Sequence, residues 1–555
     1  MRAHLSFLAT LAFTVTLHSV PSFAMWQIDG AQISIAPGNQ NYPVITSDGA
    51  GGAIMTWTDM RNGNNDIYAQ RIDASGAVQW TSNGVAITTV AGSQYAPAIF
   101  PDGAGGAFVI WSQNGGGDDV YVQRVDPAGV PQWTPGGVPV CIAEEDQIGP
   151  TIVSDGSGGV IATWYDWRNA SNYDIYAQRI DASGAVQWTT DGVSLCTAAA
   201  DQYAPTIVSD AASGAIVVWY DYRDGESDLY AQRINASGAV QWTTDGVDFC
   251  PAAIGAYAPM FVPDNAGGGI VAWLDGRNGN VDVFAQRING SGAAQWTSNG
   301  VALCTAAGEQ FYPIIAADGS GGASVTWWDR RGPHADIYAQ RVNGSGAVLW
   351  TPNGVVVSAA AGDQVYPKIA ADGAGGAIVT WFDYRTGTGD IYAQRVNASG
   401  AVHWAADGLA LCTATNHQNY PAIVSSGVGS AIITWQDWRN GPTSDIYAQR
   451  IDMPTSVGNT PPSAALTVLQ NRPNPFTGTT ELRIGLLSES NVSIEVYDVA
   501  GRRVRVQSLG TQSAGWNAIP FDGRDDAGRP LASGVYFYRV TANGTTVTHK
   551  MVITK

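Results

Sequence analysis

A carboxylate and a guanidinium group recur together along this chain at a fixed spacing. The run Trp-x-Asp-x-Arg occurs seven times, at Trp57/Asp59/Arg61, Trp164/Asp166/Arg168, Trp219/Asp221/Arg223, Trp273/Asp275/Arg277, Trp327/Asp329/Arg331, Trp381/Asp383/Arg385 and Trp435/Asp437/Arg439. Alternate positions of a strand share one face, so the three side chains should lie together. They could form a set of ligand-binding charges or an ion pair that joins neighbouring structural units. We expect the second, because a motif that nearly every unit carries serves a need of every unit.

A second Asp and a second Arg, five residues apart, recur eight times. These pairs are Asp66/Arg71, Asp119/Arg124, Asp174/Arg179, Asp228/Arg233, Asp282/Arg287, Asp336/Arg341, Asp390/Arg395 and Asp445/Arg450. The guanidinium fork can hold a carboxylate through two hydrogen bonds, which an ammonium group cannot do. This preference agrees with a chain that contains only Lys368, Lys550 and Lys555 as lysines.

Calcium is the metal that the loops could bind. Asp437, Asn440 and the closing Asp445 would gather oxygen ligands in one turn. Asn-Gly is also ordinary turn chemistry, and the arginine inside the loop would compete for the carboxylates. We therefore expect no cofactor, with Ca²⁺ as the alternative.

Two non-repeated features are candidates for ligand binding. Glu144, Glu145 and Asp146 form one acidic cluster between two repeats, and His334 lies in an atypical loop after Pro333. The acidic cluster could bind a metal or do acid–base chemistry, or it could be a solvated loop. No GxSxG, HExxH or P-loop motif occurs, so we expect no catalytic residue.

Tyrosines precede a proline by one or two residues in seven repeats. They are Tyr42, Tyr95, Tyr203, Tyr257, Tyr312, Tyr366 and Tyr420. Their rings could form a rim that stacks on sugars or peptides, or they could pack one unit on the next.

The elements that position these residues repeat about every 54 residues. Eight apolar segments end in Trp, at Trp57, Trp111, Trp164, Trp219, Trp273, Trp327, Trp381 and Trp435, spaced by 53 to 55 residues. Each unit contains four short β-branched or aromatic segments separated by turn residues and has no helical periodicity. The pattern predicts an all-β fold: an eight-bladed β-propeller over residues 25–453, with an open superhelical array as the competing geometry.

The two ends of the repeat region fit together. Trp26 followed by Gly30 matches Trp80 followed by Gly84, so the region begins with a fourth strand, whereas the eighth copy ends after Ile451 without one. We expect the N-terminal strand to complete the last blade, which leaves no unpaired edge.

Charge and composition exclude several partners. The net charge is −19, 14% of residues are charged and 45% are hydrophobic. An acidic surface repels phosphate, so we expect no nucleic acid partner. Residues 1–24 have the positive start, apolar stretch and small residues of a signal peptide. No later segment is long and apolar enough to cross a membrane, so we expect export without a transmembrane anchor.

Five cysteines occupy one equivalent position of the repeat. They are Cys141, Cys196, Cys250, Cys304 and Cys412. Equivalent positions of neighbouring repeats are too far apart for a disulfide, so we expect small buried thiols.

The composition changes after Ile451. Residues 454–465 form a linker rich in Pro, Ser, Thr, Gly and Asn, and residues 466–555 lack the repeat. Short alternating segments there predict a small immunoglobulin-like sandwich.

The blocks Leu469–Phe476, Val496–Arg502, Asp522–Arg529, Ser533–Tyr538 and Lys550–Lys555 carry a family resemblance. They resemble the C-terminal sorting domain of type IX secretion, which is itself similar to the FlgD-type immunoglobulin-like module. The matching sorting-motif residues are Asn471, Pro473, Asn474, Pro475, Phe476, Gly501 and Lys550. The resemblance implies the secretion machinery of an outer membrane as a partner, and a location outside the cell or on the surface of a Gram-negative-type bacterium.

These features predict a secreted or cell-surface, non-enzymatic propeller that binds an unknown glycan or protein. A carbohydrate-active hydrolase or lyase on the same scaffold and a structural surface component are the alternatives. Repeats so similar leave little room for a unique catalytic arrangement, which favours the binding or structural function.

Overall fold

The computed structural model describes residues 26–251, 255–452, 465–468, 471, 474, 476, 478–513 and 515–554. The chain divides into two compact units, Met1–Asp452 and Met453–Lys555. The predicted signal peptide at 1–24 and nearly all of the predicted linker at 454–465 lie outside the described residues. Every regular element in the described part of the chain is a β-strand.

The first unit contains eight antiparallel four-stranded sheets, numbered here in chain order. Their first strands are β2 Gln40–Ser47, β6 Gln94–Pro101, β10 Gln147–Ser154, β14 Gln202–Ser209, β18 Tyr257–Pro263, β22 Gln310–Ala317, β26 Gln364–Ala371 and β30 Gln418–Gly427. Their second strands are β3 Ala53–Asp59, β7 Ala107–Asn114, β11 Val160–Asp166, β15 Ala215–Asp221, β19 Gly269–Asp275, β23 Ala323–Asp329, β27 Ala377–Asp383 and β31 Ser430–Asp437.

Seven of the eight third strands begin at the repeated Asp, and that of sheet 2 begins one residue before it. The third strands are β4 Asp66–Ile72, β8 Asp118–Val125, β12 Asp174–Ile180, β16 Asp228–Ile234, β20 Asp282–Ile288, β24 Asp336–Val342, β28 Asp390–Val396 and β32 Asp445–Asp452. The fourth strands are β5 Val85–Thr88, β9 Val138–Cys141, β13 Val193–Cys196, β17 Val247–Asp248, β21 Val301–Cys304, β25 Val355–Ser358, β29 Leu409–Cys412 and, in sheet 8, β1 Ala31–Ser34.

The second strand is the centre of each sheet's core. Its Trp side chain is fully buried in all eight sheets, because the strand lies between two other strands and has a neighbouring sheet on each face. Runs such as Ala377-Ile-Val-Thr-Trp381 are therefore buried on both faces instead of alternating between buried and exposed positions. Apolar clusters then join one sheet to the next, and one cluster joins Ile432 of sheet 8 to Met55 of sheet 1.

The first strands of consecutive sheets contact each other in series from β2 to β30, and β30 also contacts β2. The strand β1 pairs with β32 across more than 400 residues of sequence, with Ala31 opposite Ala448. Sheets 1 and 8 are also joined by a backbone hydrogen bond of 2.8 Å from Gln40 N to Ser444 O.

The second unit contains two sheets, with the strand orders β33-β34-β37 and β36-β35-β38-β39. Its strands are β33 Leu466–Val468, β34 Thr480–Leu486, β35 Ser490–Asp498, β36 Arg503–Gln512, β37 Gly515–Phe521, β38 Gly534–Ala542 and β39 Thr545–Ile553. Leu482, Ile494, Phe521, Tyr538 and Met551 form one buried core. This arrangement agrees with the predicted immunoglobulin-like sandwich.

Among the described residues, no helix has the length and apolar character needed to cross a membrane.

Candidate functional site

The Trp-x-Asp-x-Arg run forms a closed hydrogen-bonded group. In sheet 7, the Asp383 carboxylate accepts a bond from Trp381 Nε1 at 2.8 Å and two from Arg385, at 2.9 Å from Nε and 2.6 Å from Nη2. Arg385 also donates to the Asp407 carbonyl and to Ser358 Oγ of the preceding sheet, and its guanidinium lies 3.9 Å above the Tyr392 ring. The carboxylate is fully used in these contacts, so the motif joins sheets and presents no free charge to a ligand.

The second repeated Arg also binds a carboxylate and joins neighbouring sheets, and it lies at the other end of the sheets. Arg71 holds Asp48 of its own sheet through Nε at 3.1 Å and Nη2 at 2.9 Å, and its Nη1 donates to the Pro127 carbonyl of the next sheet. We call this the turn end, because the first and second strands connect there through Asp48–Gly52. The opposite end, where the second and third strands connect, is the loop end.

The repeated Asp that opens the third strand has no arginine bound to it. Asparagines bond it in several sheets, as Asn62 and Asn64 do to Asp66. Burial raises the pKa of Asp119, Asp174, Asp228 and Asp336 to about 6. These carboxyl groups can therefore hold a proton at a pH at which most carboxylates are ionised.

The calcium candidates are occupied by protein donors. Asp437 is bound by Trp435 and Arg439 as in the other sheets. Asn440 directs its amide donor to Asp445 at 2.7 Å and to the Tyr447 hydroxyl at 3.1 Å. Across the described residues, no group of three or more His, Cys, Asp or Glu side chains is arranged to hold a metal ion.

The acidic cluster and His334 lie at the loop end. The backbone carbonyls of Glu144 and Glu145 accept bonds from the Gln147 amide, and the Asp146 carboxylate caps the backbone N–H of Asp118 at 3.1 Å. His334 is exposed and lies 3.8 Å from Asp363. The structure therefore does not bring these candidates together, since the acidic cluster precedes sheet 3 and His334 belongs to sheet 6.

All five cysteines are free and buried, as predicted. Each accepts a contact from the sheet-joining Arg of the next sheet, as Cys304 does from Arg331 at 3.1 Å. Burial raises the pKa of the Cys304 thiol to about 12, so it stays neutral.

The first strand of each sheet begins with a β-bulge at the loop end. The third residue of each of the eight strands, or the second in β18, has a left-handed backbone, with φ between 46° and 62°. These residues are Tyr42, Ala96, Gly149, Ala204, Ala258, Tyr312, Tyr366 and Tyr420. The four tyrosines lie in consecutive sheets 6, 7, 8 and 1, and we call them the tyrosine arc.

The tyrosine arc is exposed, and its rings contact each other in two pairs. The exposed fractions are 55% for Tyr42, 49% for Tyr312, 39% for Tyr366 and 42% for Tyr420. The ring centroids of Tyr312 and Tyr366 are 4.8 Å apart, and those of Tyr42 and Tyr420 are 4.9 Å apart. Tyr366 also stacks on Phe382 at 4.9 Å. The result is two pairs of exposed aromatic rings in four consecutive sheets at the loop end.

The sequence predicted seven tyrosines as one set, but the structure separates them into two. Tyr95, Tyr203 and Tyr257 stand one position before the bulge residue and are partly buried. Only the four tyrosines directly before proline form the exposed arc, so this spacing was the signal that distinguished them.

The C-terminal unit has a family match. Residues 470–546 match the model of the FlgD Ig-like domain. This region is similar to that family over its strands β34 to β38. No curated protein matches the chain.

The chain is similar to several solved structures. A polysaccharide lyase described as an ulvan lyase, bound to a GlcA–Rha3S saccharide, is 10% identical, with 75% of this chain and 95% of the lyase covered and a TM-score of 0.42. A puromycin-hydrolysing peptidase from Mycobacterium tuberculosis is 13% identical, with 75% and 61% covered and a TM-score of 0.39. An endo-arabinase from Bacteroides thetaiotaomicron is 14% identical, with 46% and 96% covered and a TM-score of 0.28.

By their descriptions, two of these three proteins are a polysaccharide lyase and an endo-arabinase, and the third is a peptidase. At these TM-scores the likeness carries no argument about the activity of this chain.

The predicted sorting-motif residues that the structure describes belong to the C-terminal sandwich. Asn471 is buried and bonds Thr480 Oγ1 at 3.0 Å, Asn474 Oδ1 accepts from Val552 N at 2.7 Å, and Phe476 lies in the core. Gly501 has φ 77° in the turn before β36, and the Lys550 carbonyl accepts a bond from Asn474. Pro473 and Pro475 lie outside the described residues.

Proposed function

We propose that the eight sheets are the blades of one closed β-propeller, with the first strands around a central channel. The pairing of β1 with β32 and the contact between β30 and β2 support this architecture. The packing of Gly30 against Trp435 is a third support. Gly84 packs against Trp57 in the same way, but those two residues belong to one sheet-forming segment, whereas Gly30 and Trp435 come from the two ends of the first unit. The loop end then forms one face of the propeller, and the tyrosine arc lies at the mouth of the channel on that face.

The function that this geometry supports best is recognition of a saccharide by the tyrosine arc. A bulky residue with positive φ is unfavourable, and Ala or Gly occupies the same backbone position in sheets 2 to 5. The fold therefore does not need tyrosine there. Strained aromatic residues that are exposed, that lie in consecutive sheets and that are confined to half of the mouth are best explained by a ligand. The faces of sugar rings pack on aromatic rings, and the tyrosine hydroxyls can bond sugar hydroxyls.

Glycan-array binding with matched variants tests this proposal. Tyr366→Ala and Tyr312→Ala should each weaken binding of the best array glycan about tenfold or more. Tyr222→Ala is the control, because Tyr222 has an exposed fraction of 38%, against 39% for Tyr366, but lies in sheet 4. An empty array, or equal losses in all three variants, would contradict a saccharide site at the arc.

A hydrolase or lyase is the second candidate, and sheet 2 provides the observation that favours it. This sheet has Gln113 in place of the repeated Asp and has no following Arg. Asp119 therefore has no guanidinium group from a Trp-x-Asp-x-Arg run in its own sheet. Burial raises the pKa of Asp119 to about 6, which is a suitable value for a general acid. Asp118, beside it, bonds the Tyr95 hydroxyl.

Screening against polysaccharides for new reducing ends or unsaturated uronates tests the second candidate. Asp119→Asn should abolish any activity found. Asp174→Asn is the matched control, because Asp174 opens the third strand of an intact sheet and its pKa is also raised to about 6. Activity that survives Asp119→Asn would remove sheet 2 as the reaction site.

We also propose that the C-terminal unit directs export through a type IX route to the cell surface or the medium. The signal-like residues 1–24 and the similarity of 470–546 to an Ig-like family support this proposal. Mass spectrometry of the surface and medium fractions from the native host tests it. Loss of the segment after about residue 460 is expected if the unit is a removable sorting domain, and an intact chain retained inside the cell would contradict it.

A further inference from the structure

A single lysine lies on a first strand of the first unit, and the first strands form the inner wall of the proposed propeller. Lys368 is on β26, and the other two lysines of the chain, Lys550 and Lys555, belong to the second unit. Its equivalents on the other first strands are Val44, Ala98, Thr151, Thr206, Met260, Ile314 and Ala422. All eight side chains are partly buried. Seven uncharged residues therefore share this level of the wall with one ammonium group.

The side chain of Lys368 has no hydrogen bond and no ion pair with any described residue. Burial alone lowers the pKa of its ammonium group, and no neighbouring charge contributes. The repeated arginines differ in this respect, because Arg385 and Arg395 each hold an Asp carboxylate. An unpaired, partly buried cation is unfavourable for folding, and the valine, alanine, threonine, methionine and isoleucine at the equivalent positions show that the fold does not require it.

Lys368 lies directly below the tyrosine arc. Tyr366 is the bulge residue of the same strand, Val365 pairs with Phe382, and Lys368 pairs with Thr380. Two residues of a strand span about 7 Å, which is comparable to the length of one or two sugar units. A saccharide whose rings rest on Tyr366 and Tyr312 can therefore place a substituent at Lys368 inside the channel.

We propose that Lys368 binds the carboxylate or sulfate group of an acidic saccharide held by the tyrosine arc. This inference rests on the proposed saccharide function and specifies the chemical class of the ligand. The ammonium group supplies up to three hydrogen bonds and a charge that the uncharged channel wall does not neutralise. The site therefore favours acidic over neutral saccharides, because a neutral saccharide leaves the ammonium group unpaired and the uncharged wall offers it no other partner.

A matched pair of ligands tests the proposal in the full-length protein. The probes are a uronate-containing oligosaccharide and the same oligosaccharide after reduction of its carboxyl groups to neutral hexoses. The unmodified protein should bind the acidic form at least tenfold more tightly than the reduced form. Lys368→Met should remove this difference by weakening the binding of the acidic form. Lys368→Ile, which copies Ile314, is a second variant in case the first does not fold.

Acetylation gives a second measurement that does not depend on a variant. Because Lys368 is the only lysine in the first unit, one peptide reports its modification by mass spectrometry. The acidic oligosaccharide should protect this peptide from acetylation several-fold more than the reduced form does.

The outcomes separate the two proposals. Equal binding of both forms by the unmodified protein, with loss in Tyr366→Ala, would overturn the role of Lys368 and leave the saccharide function in place. No binding of either form would overturn both. Protection of Lys368 by inorganic sulfate or free glucuronate as effective as that by the oligosaccharide would also overturn the proposal, because the site would then take free anions.

Discussion

Gly30 and Trp435 lie against each other although 405 positions separate them in the sequence. A Cβ atom at residue 30 would lie 2.6 Å from Trp435 Cζ2, and φ of Gly30 is 91°. Gly84 has the same relationship with Trp57, with a Cβ-to-ring distance of 2.7 Å and φ of 86°. A contact that is local in seven sheets is therefore made in the eighth between the two ends of the first unit.

Replacing Gly30 should weaken the junction between the ends of the first unit. We expect Gly30→Ala to lower the free energy of unfolding by about 2–4 kcal/mol, from overpacking against Trp435 and from the left-handed backbone. Gly63→Ala is the control, since φ of Gly63 is 93° but no atom lies within 4 Å of the added carbon. Its cost should be about 1 kcal/mol. Equal losses in urea denaturation would show that the junction is not under steric constraint.

The sheet-joining ion pairs should be strongly coupled. Arg385→Gln should lower the free energy of unfolding by about 3–5 kcal/mol, because it leaves the Asp383 carboxylate buried and uncompensated. Asp383→Gln together with Arg385→Gln should cost less than the sum of the two single changes. Sheet 2 supports this expectation, since it lacks both charged residues and still forms four strands. Additive losses in a double-mutant cycle would contradict the coupling.

The ionised carboxylate of Asp228 should destabilise the protein when the pH exceeds the pKa of this group. Burial raises the pKa of Asp228 to about 6 from 3.8, and no side chain donates a hydrogen bond to it among the contacts that shift its pKa. The folded state therefore holds the proton more tightly than the unfolded state. The associated stability is complete below about pH 4 and is lost as the pH rises through about 6.

Asp228→Asn removes this loss. We expect the variant to match the unmodified protein at pH 4 and to exceed its free energy of unfolding by about 1–2 kcal/mol at pH 7, allowing for solvent screening. Asp383→Asn should instead be destabilising at pH 7, because Arg385 bonds that carboxylate. A gain for Asp228→Asn that does not change between pH 4 and pH 7 would contradict the titration argument.

The repeat spacing was sufficient to predict the sheets, because each unit carries its own buried Trp, turn residues and β-branched segments. The free, buried cysteines also followed from their equivalent positions. Both inferences depend on local pattern and on the distance between neighbouring units, which a repeat makes regular.

The tyrosine arc and Lys368 could not be located by alternation along the strand. A β-bulge between Val365 and Lys368 inserts an extra residue, so the faces of the strand exchange at that point. Tyr366 and Val365 therefore could not be assigned to the surface or the interior from spacing alone. The backbone contact of Asp146 could not be predicted for a related reason: Asp146 caps the backbone of a neighbouring sheet, and the sequence does not show that neighbour.

Phe476 should contribute to the stability of the C-terminal unit and not to that of the first unit. Its exposed fraction is 2%, and its backbone pairs with Ile553 and bonds Val552 O and Thr554 N. Phe476→Ala should lower the stability of this unit by about 3–5 kcal/mol. Phe537→Ala is the matched control, because Phe537 lies in the same unit with an exposed fraction of 38%. Hydrogen exchange followed by mass spectrometry should show faster exchange in β39 for Phe476→Ala and unchanged exchange in β2 to β32. Faster exchange in the first unit would show instead that the two units depend on each other for stability.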